Sequence, residues 1–559
     1  MAKEWQLMEP DPDQITQLTE CHQIDPLLAK CLINRKVLEH QTVEDFLEPC
    51  SYQPPDPFQI PDMAIAVTRI QRALEQGERI CIYGDYDADG VTAIAILTQA
   101  LEELGGDVFY YIPDRFFEGV GLQCNRMRLL AEEENVSLII TVDTGARAFE
   151  ELEYARQLDL DVIITDHHTP DTERPPALAV LNPKERGSVY PFKELCGAGV
   201  AFKLAQALAK VYPNRVDLGR HVKIAAIGTI ADMVPLREEN RWIVASGLRE
   251  LARDEQGPIR CLLRKLGVRG MPNALDISFK VAPRINAPGR LGDPDTSIAF
   301  FKAGTPKEAH RIVEIMDGMN TVRQMLEREL EQKINRQLRH MYRNKIPSFI
   351  VVAGRHWHRG ILGIMACKIL RRYGRPTCVL SFDHNEAHGS IRSIPGLNIL
   401  EPLDGIASLL NSYGGHPEAA GVSLPVTNIP QFRERMNELI DSRNDACKLV
   451  FFVDAVVEWQ DLDRKLFSTI SKMEPFGIGN QMPTFMTGGL ILESEPVRKG
   501  PWFHFEASDG HVARKCTFYH PNDLNFEFER FDSVDLVYSL TPFRDDYQVQ
   551  IIEMRPSEN

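Results

Sequence analysis

Between residues 63 and 235 the chain alternates short apolar runs with stretches of helical period. The runs RICIYG (79–84), DVFYYIP (107–113), SLIITVD (137–143) and DVIITD (161–166) each predict a buried strand. Helical patterns lie between most of them, and AGVAFKLAQALAKVY and HVKIAAIGTIAD predict further helices. This alternation predicts a mainly parallel sheet with helices on both faces. A second, smaller α/β pattern begins with IPSFIVVAG and RPTCVLSF. From about residue 450 the pattern changes to short alternating runs, among them WFHFEASDG, CTFYH and DYQVQIIEM, which predict a small β-barrel or sandwich.

A long helix is predicted from Thr305. Thr305-Pro306-Lys307-Glu308 reads as an N-cap, a proline at the first helical position and a capping-box acid. Apolar residues recur at Ile312, Ile315, Met319, Val322, Leu326, Leu330, Ile334 and Leu338, a single stripe over roughly seven to eight turns. A helix of that length is expected to bridge two domains. Arg323, Arg328, Lys333, Arg336 and Arg339 face either a channel or solvent. The expected class is α/β. A helical leader and linker occupy 1–62, a mainly parallel-sheet domain 63–304, the connecting helix 305–345, a smaller α/β domain 346–428, a linker 429–449 and a β domain 450–559.

The composition narrows the setting. A chain of 559 residues has room for about three to five domains. No apolar run approaches the ~18 residues of a membrane span, so no membrane is expected. The polar start MAKEWQLMEPDPDQ lacks the features of a secretory signal. Eleven cysteines without a CxxC pair suit a reducing cytoplasm and argue against a cysteine zinc site. The net charge of −16 argues against coating nucleic acid by bulk attraction, so any nucleic-acid role has to be argued from local sites.

The charge is concentrated in an informative way. YGDYDADG, TVDTG and ITDHH each place acid just past an apolar strand, where open α/β sheets bind ligands. Together they deliver Asp85, Asp87, Asp89, Asp143, Asp166, His167 and His168 to one sheet edge. Asp232, in GTIADMVPL, ends an apolar helical run. A lone aspartate after a strand is usually a turn former or helix cap. Several in sequence, with adjacent histidines, would repel one another unless cations intervene. Mixed Asp/His ligands suit Mn²⁺ or Mg²⁺. Two such ions about 3.5–4 Å apart serve in-line attack on phosphorus, so hydrolysis of a phosphoester or phosphoanhydride is the expected reaction class.

The segments DYDADG, DHH (166–168) and GTIADMVPL resemble those of the DHH phosphoesterase superfamily, and GGHPEAAG (414–421) resembles the GGH motif of its companion DHHA1 domain. APRINAPGR, WHRGILGIMACKI, HGSIRSIPG and PFGIGNQMPTF make the chain similar to the RecJ family of single-strand-specific exonucleases, from about residue 50 onward. The resemblance implies metal ligands at Asp87, Asp89, Asp143, His167 and Asp232, with Asp143 bridging. It implies supporting acids at Asp85 and Asp166, and phosphate contacts from His168 and His416. Arg284 would hold substrate, and Arg115, Ser390 and Arg392 would form a 5′-end pocket, where arginine forks suit terminal phosphate oxygens. The implied activity is processive 5′→3′ hydrolysis of single-stranded DNA to mononucleotides, in repair or recombination. Implied partners are a helicase and a single-stranded-DNA-binding protein. The β domain would be OB-like, with Trp502, Phe503 and Phe505 as base-stacking faces or as barrel core. Tyr83 stands where many members carry a histidine ligand, Asp114-Arg115 and Val120 depart from Asn-Arg and Tyr, Thr144 replaces a frequent Cys, and Arg359 replaces a smaller or neutral residue.

Rival readings are a small-substrate phosphodiesterase acting on nanoRNA or a cyclic dinucleotide, a pyrophosphatase, and a metal-free replication scaffold. CGAGVAFK (196–203) lacks the third glycine of a dinucleotide fingerprint, so close helix packing explains it better. No GxxxxGK[ST] or G-x-S-x-G occurs.

Overall fold

The computed structural model describes residues 4–557 except 115, 117, 120, 343–345, 443–449, 520–527 and 544–545. Four strands fall where the apolar runs predict them: β1 (Arg79–Tyr83), β2 (Asp107–Tyr111), β3 (Val136–Val142) and β4 (Asp161–Thr165). A short fifth strand, β5 (Ala179–Leu181), joins them. All pair in parallel in the order β2-β1-β3-β4-β5. The strands read as near-continuous apolar runs because helices cover both faces. On one face Ile80, Ile82, Leu138 and Ile140 share a core with α1 (Ala88–Glu103), α2 (Gly197–Val211) and α3 (Leu218–Ala231). On the other, Cys81, Tyr83 and Ile139 pack against Met127, Leu130 and Leu152 from two shorter helices.

After α4 (Ala282–Leu291) the chain enters α5 (Pro306–Met341), 36 residues or about 54 Å long. The Thr305 hydroxyl accepts from the Glu308 N–H at 3.2 Å, while Glu308 Oε2 accepts from Gly304 N–H at 3.1 Å, one residue beyond the reciprocal partner of a capping box. The predicted apolar stripe breaks in two. Ile312, with Val313 and Met316, is buried in the first domain's core, and Leu330, Ile334 and Leu338 in the second domain's. Between them Ile315 and Val322 are exposed. Each half of α5 is thus held by a different domain, as a bridging helix requires.

The second domain contains β6 (Ile350–Arg355), α6 (Leu362–Tyr373), β7 (Thr377–Asp383), β8 (Glu386–Arg392), β9 (Ser412–His416) and β10 (Ala419–Pro425). Its sheet order is β9-β10-β8-β7-β6, and only β6 and β7 pair in parallel. The stretch 429–449 is not wholly a linker. It opens with the helix Ile429–Asp441, which buries Ile429, Phe432 and Met436 against this sheet.

The C-terminal segment is a seven-stranded sheet in which Phe485–Leu492 pairs with both Ser533–Phe543 and Trp502–Ser508, wrapping the sheet toward a barrel. The N-terminal leader belongs to it. Glu4–Leu7 pairs in parallel with Val450–Val453, and Leu28, Leu32 and Phe46 share one core with Trp459 and Phe485. Arg35 grips Asp454 through two bonds of 2.8 and 3.1 Å. The buried Arg241 in turn ties this unit to the first domain. Its guanidinium donates to the carbonyls of Phe46, Met473, Glu474 and Pro475.

Candidate active site

The acids meet at the C-terminal edge of the parallel sheet because β1, β3 and β4 end there side by side. Asp87 caps α1, accepting from the N–H groups of Asp89 and Gly90 at 2.9 and 3.1 Å. Asp89, in the first turn, is buried and accepts from the Gly197 and Ala198 N–H groups at 2.6 and 2.8 Å. Those donors are unpaired within α2 and carry the positive end of its dipole. The glycine-rich start of α2 therefore holds an acid. Gly197 also makes room for Asp143, since a Cβ there would stand 2.6 Å from Asp143 Cβ. Asp143 follows β3 with φ +58°, a left-handed conformation that aspartate adopts more readily than bulkier residues. A further support is Asn286, whose Oδ1 accepts from Ala88 N–H at 2.9 Å.

His167 stands at the centre. Its Nε2 lies 3.1 Å from Asp143 Oδ1 and 3.9 Å from Asp89 Oδ2, and its Nδ1 lies 3.8 Å from Asp232 Oδ2. His168 turns away to Asp166, with Nδ1 2.7 Å from Oδ1. Asp166 also accepts from the N–H groups of Ala146, His167 and His168. Asn182 donates to the His168 carbonyl at 2.9 Å. Three groups of ligand atoms result: Asp85, Asp87 and Asp143; Asp89, His167 and Asp232; and Asp143, His167 and His168. Asp143 and His167 each belong to two of them.

The electrostatics show which ligand this cluster suits. Burial, then the charges of Asp89 and Asp87, pushes the Asp143 carboxyl well above the usual carboxylate range. Burial and the same two neighbours push Asp232 to about 9, and burial with Asp87 pushes Asp89 to about 6. Asp166 is the contrast. Burial opposes its ionisation, but the His168 hydrogen bond and charge outweigh it and hold the carboxyl at about 2. Burial and the His168 charge push His167 down to about 3, which leaves a neutral imidazole with a lone pair to give. Asp143 Oδ1, His167 Nδ1 and Asp232 Oδ2 are buried without a hydrogen-bond partner. Crowded carboxylates, a neutral imidazole and unsatisfied buried donor atoms fit divalent cations with oxygen-rich coordination.

The second domain completes the site. The rings of His416 and His168 stack with centroids 5.5 Å apart and planes 7° apart. Arg392 pairs with Ala419, and Ala419 with His416, so Arg392 and His416 occupy one row across β8, β10 and β9. Ser390 lies two residues back on the same face, and Arg392 Nη1 donates to its hydroxyl at 2.9 Å. Gly363, near the start of α6, lies against this pair. A Cβ there would be 3.0 Å from Arg392 Nη2 and 3.1 Å from Ser390 Oγ.

Arg284 is turned to α5, with Nε 2.7 Å from Asp317 Oδ1. Arg115 lies outside the described residues. Phe503 and Phe505 are buried in the barrel core, so neither offers a face to a base. Alternate residues of that strand point inward, which leaves Trp502 half-buried and edge-on to Tyr519 at 5.1 Å. Tyr83 supplies no ligand. It lies on the opposite face of the sheet, and its hydroxyl donates to the Gly121 carbonyl at 3.2 Å. The sequence reading missed the Gly197 and Ala198 donors and Asn286, although CGAG and APRINAPGR were visible as motifs.

The parallel sheet with its edge of acids and histidines, facing a mixed-sheet domain that contributes a GGH histidine, defines a DHH–DHHA1 protein. Family descriptions agree. The DHH family N-terminal domain matches residues 79–229, the DHHA1 domain 347–442 and the RecJ OB domain 453–552. The chain is 31% identical to the single-stranded-DNA-specific exonuclease RecJ of Escherichia coli K12, over 79% of this chain and 78% of that protein. It is 38% identical to RecJ of Bacillus subtilis 168 over 89% of this chain. The crystal structure of RecJ in complex with Mn²⁺ from Thermus thermophilus superposes with TM-score 0.85 and 28% identity, over all of this chain and 80% of that one. The chain belongs to the RecJ family. By aligned sequence it spans 62% and 63% of the length of the Bacillus and Thermus relatives.

Proposed function

We propose that this protein is a metal-dependent exonuclease that removes mononucleotides from the 5′ end of single-stranded DNA. The observation that carries the proposal is the row Arg392–Ala419–His416 facing the acid cluster. Strands lie about 4.8 Å apart, and directly paired residues share a face, so Arg392 and His416 are separated by about 9.6 Å on one side of the sheet. A strand end held by Arg392 and Ser390 would present its next phosphate near His416 and His168, one nucleotide in. The prospective ligand groups support a metal pair, since Asp143 belongs to one group with Asp85 and Asp87 and to another with His167 and His168.

Two divalent cations, Mn²⁺ or Mg²⁺, held by Asp85, Asp87, Asp89, Asp143, His167 and Asp232 would offset the acids, activate water and polarise the phosphate. Asp166 orients the His168 ring so that its other nitrogen meets the scissile phosphate. Burial opposes protonation of His168, but the Asp166 bond outweighs it and raises its pKa, which favours the cationic ring beside a phosphate. His416 supports that ring from the second domain. Gly197 and Ala198 keep Asp89 in place.

The named relatives act on single-stranded DNA, which supports this substrate. A cytoplasmic setting in repair or recombination, and work beside a helicase and a single-stranded-DNA-binding protein, form part of the proposal. Among the described residues no helix is long and apolar enough to cross a membrane.

One oligonucleotide, labelled at either end and incubated with Mn²⁺ or EDTA, tests the reading. Early mononucleotide from the 5′ label and a shortening ladder from the 3′ label, both blocked by EDTA, are expected. An intact strand with turnover of a dinucleotide or pyrophosphate would move the protein to a small-substrate activity.

A further inference from the structure

The two α/β domains touch at the end of α4. Arg290, in the last turn of that helix, donates from Nη1 to the Gly360 carbonyl at 3.2 Å. The approach is close, since a Cβ at Gly360 would run into the Arg290 carbonyl, a backbone atom that cannot swing aside. Gly360 lies in the single turn Arg359–Ile361, directly before α6. That turn is braced a second time. His358 Nδ1 accepts from the Gly360 N–H at 3.2 Å, and the His358 ring meets Phe116 edge-on with centroids 5.8 Å apart. Phe116 in turn lies against Gly292, the C-cap of α4, where a Cβ would be 3.7 Å from the ring.

The same helix touches the acid cluster. One turn before Arg290, Asn286 accepts from the Ala88 N–H. Gly289 admits the Tyr86 carbonyl, since a Cβ there would stand 2.5 Å from it. Tyr86 and Ala88 flank Asp87, so α4 grips the backbone on both sides of a prospective metal ligand. α4 is itself fixed in the first domain's core by Ile285, whose carbonyl accepts from the Ser297 hydroxyl at 2.8 Å.

Beyond the joint, α6 continues the line. Gly363, three residues after Gly360, lies against Arg392 and Ser390. One chain of contacts thus runs from Asp87 through α4 and the Gly360 turn to the end pocket. Its links are mostly backbone atoms packed where a side chain is missing, and such links position a site more closely than mobile side chains do. α5 joins the same two domains, but long helices bend, and its middle is exposed at Ile315 and Val322. A second strut at Arg290 removes freedom that a single helix leaves.

We propose that the end of α4 is a gauge for product length, with Arg290 as its positioning residue. By holding Arg392 and Ser390 at a fixed distance from the prospective metal ligands, it limits each cut to one nucleotide. The inference rests on the nuclease reading above. An end pocket and a metal centre on separate domains define a step only if their separation is fixed. A joint loosened by one phosphate spacing would admit a second nucleotide between them.

The test is the size of the first product. The full chain, in excess so that slow variants still show a first cut, is incubated with Mn²⁺ and an oligothymidylate carrying a labelled 5′-phosphate. Early products are separated by length for wild type, Arg290→Ala, Arg290→Lys and Gly360→Ala. Wild type should release mononucleotide alone. Arg290→Ala and Gly360→Ala should release dinucleotide beside it, with the cleavage rate lowered about 10²-fold, as misplacement by about 1 Å does. Arg290→Lys keeps one donor for the Gly360 carbonyl and should restore the single product. A loss of general stability would slow the variants without changing product size. Mononucleotide as the sole product of both Arg290→Ala and Gly360→Ala would therefore overturn the gauge. Absence of any cleavage by the wild-type chain would overturn the nuclease reading itself, a distinguishable result.

Discussion

The His416 ring lies parallel to the His168 ring at 5.5 Å, and His168 is pinned by Asp166 at 2.7 Å. One imidazole comes from the parallel-sheet domain and the other from the DHHA1 domain. Both domains thus contribute a ring to the same stack. Replacing His416 by Ala should lower kcat on single-stranded DNA about 10²–10³-fold, the usual cost of losing one group that stabilises developing charge. Metal binding should persist, since among the described residues no group of prospective ligands includes His416. Single-turnover kinetics with calorimetry of Mn²⁺ binding would check both. Loss of metal binding in this variant would contradict the separation of roles.

Asp143 and Gly197 form a second testable pair. The acid fits only because residue 197 has no side chain. Gly197→Ala should displace the Asp143 carboxylate and weaken Mn²⁺ binding by about 10–100-fold, as losses of supporting contacts do. Asp143→Ala should nearly abolish hydrolysis while leaving DNA binding. Equal Mn²⁺ affinity in wild type and Gly197→Ala, by calorimetry, would show that the close approach has no consequence for the site.

These residues show what a single sequence reveals. The acids were legible because parallel strands, buried on both faces, read as apolar runs with charge at one end. The strands β1–β4 followed from the same signal, whereas β5 has only three residues, in the short run ALAVL (177–181) that directly follows two prolines and carries no charge at its end. Gly197 was visible but its purpose was not, because the reason for a missing side chain lies in Asp143, 54 positions away. The pairing of Glu4–Leu7 with Val450–Val453 was hidden for the same reason, since nothing local in either strand names its partner. The stripe on α5 misled in its middle. Periodicity reports an apolar face but not whether a domain covers it, and Ile315 and Val322 are exposed.

Arg392 and Ser390 predict discrimination at the strand end. Arg392→Ala should reduce the preference for a 5′-phosphate over a 5′-hydroxyl by about 1.5–3 kcal/mol, or about 10- to 150-fold, the worth of a hydrogen bond to a charged group. Arg392→Lys should recover only part, because a point charge lacks the planar fork. The ratio of kcat/KM for the two ends is the measurement. An equal loss on both ends would remove Arg392 from the end pocket.

The Arg35–Asp454 pair predicts how the leader is held. Both side chains are under a tenth exposed, and the bonds are bidentate. Arg35→Ala would leave a buried carboxylate without its partner, so the N-terminal and C-terminal unit should lose about 3–5 kcal/mol. Burial would raise the Asp454 carboxyl, but the Arg35 bond and charge outweigh it and hold it below its ordinary value of 3.8. A depressed carboxyl lends its stability fully above the unfolded value and loses it as pH falls through the folded one. The gap in stability between wild type and Asp454→Asn should therefore be widest near neutral pH and close below about pH 4. Denaturant unfolding at stepped pH, read by limited proteolysis of the leader, would show this. A gap that stays constant into acid would mean that the pair's ionisation contributes nothing to the docking of residues 4–48.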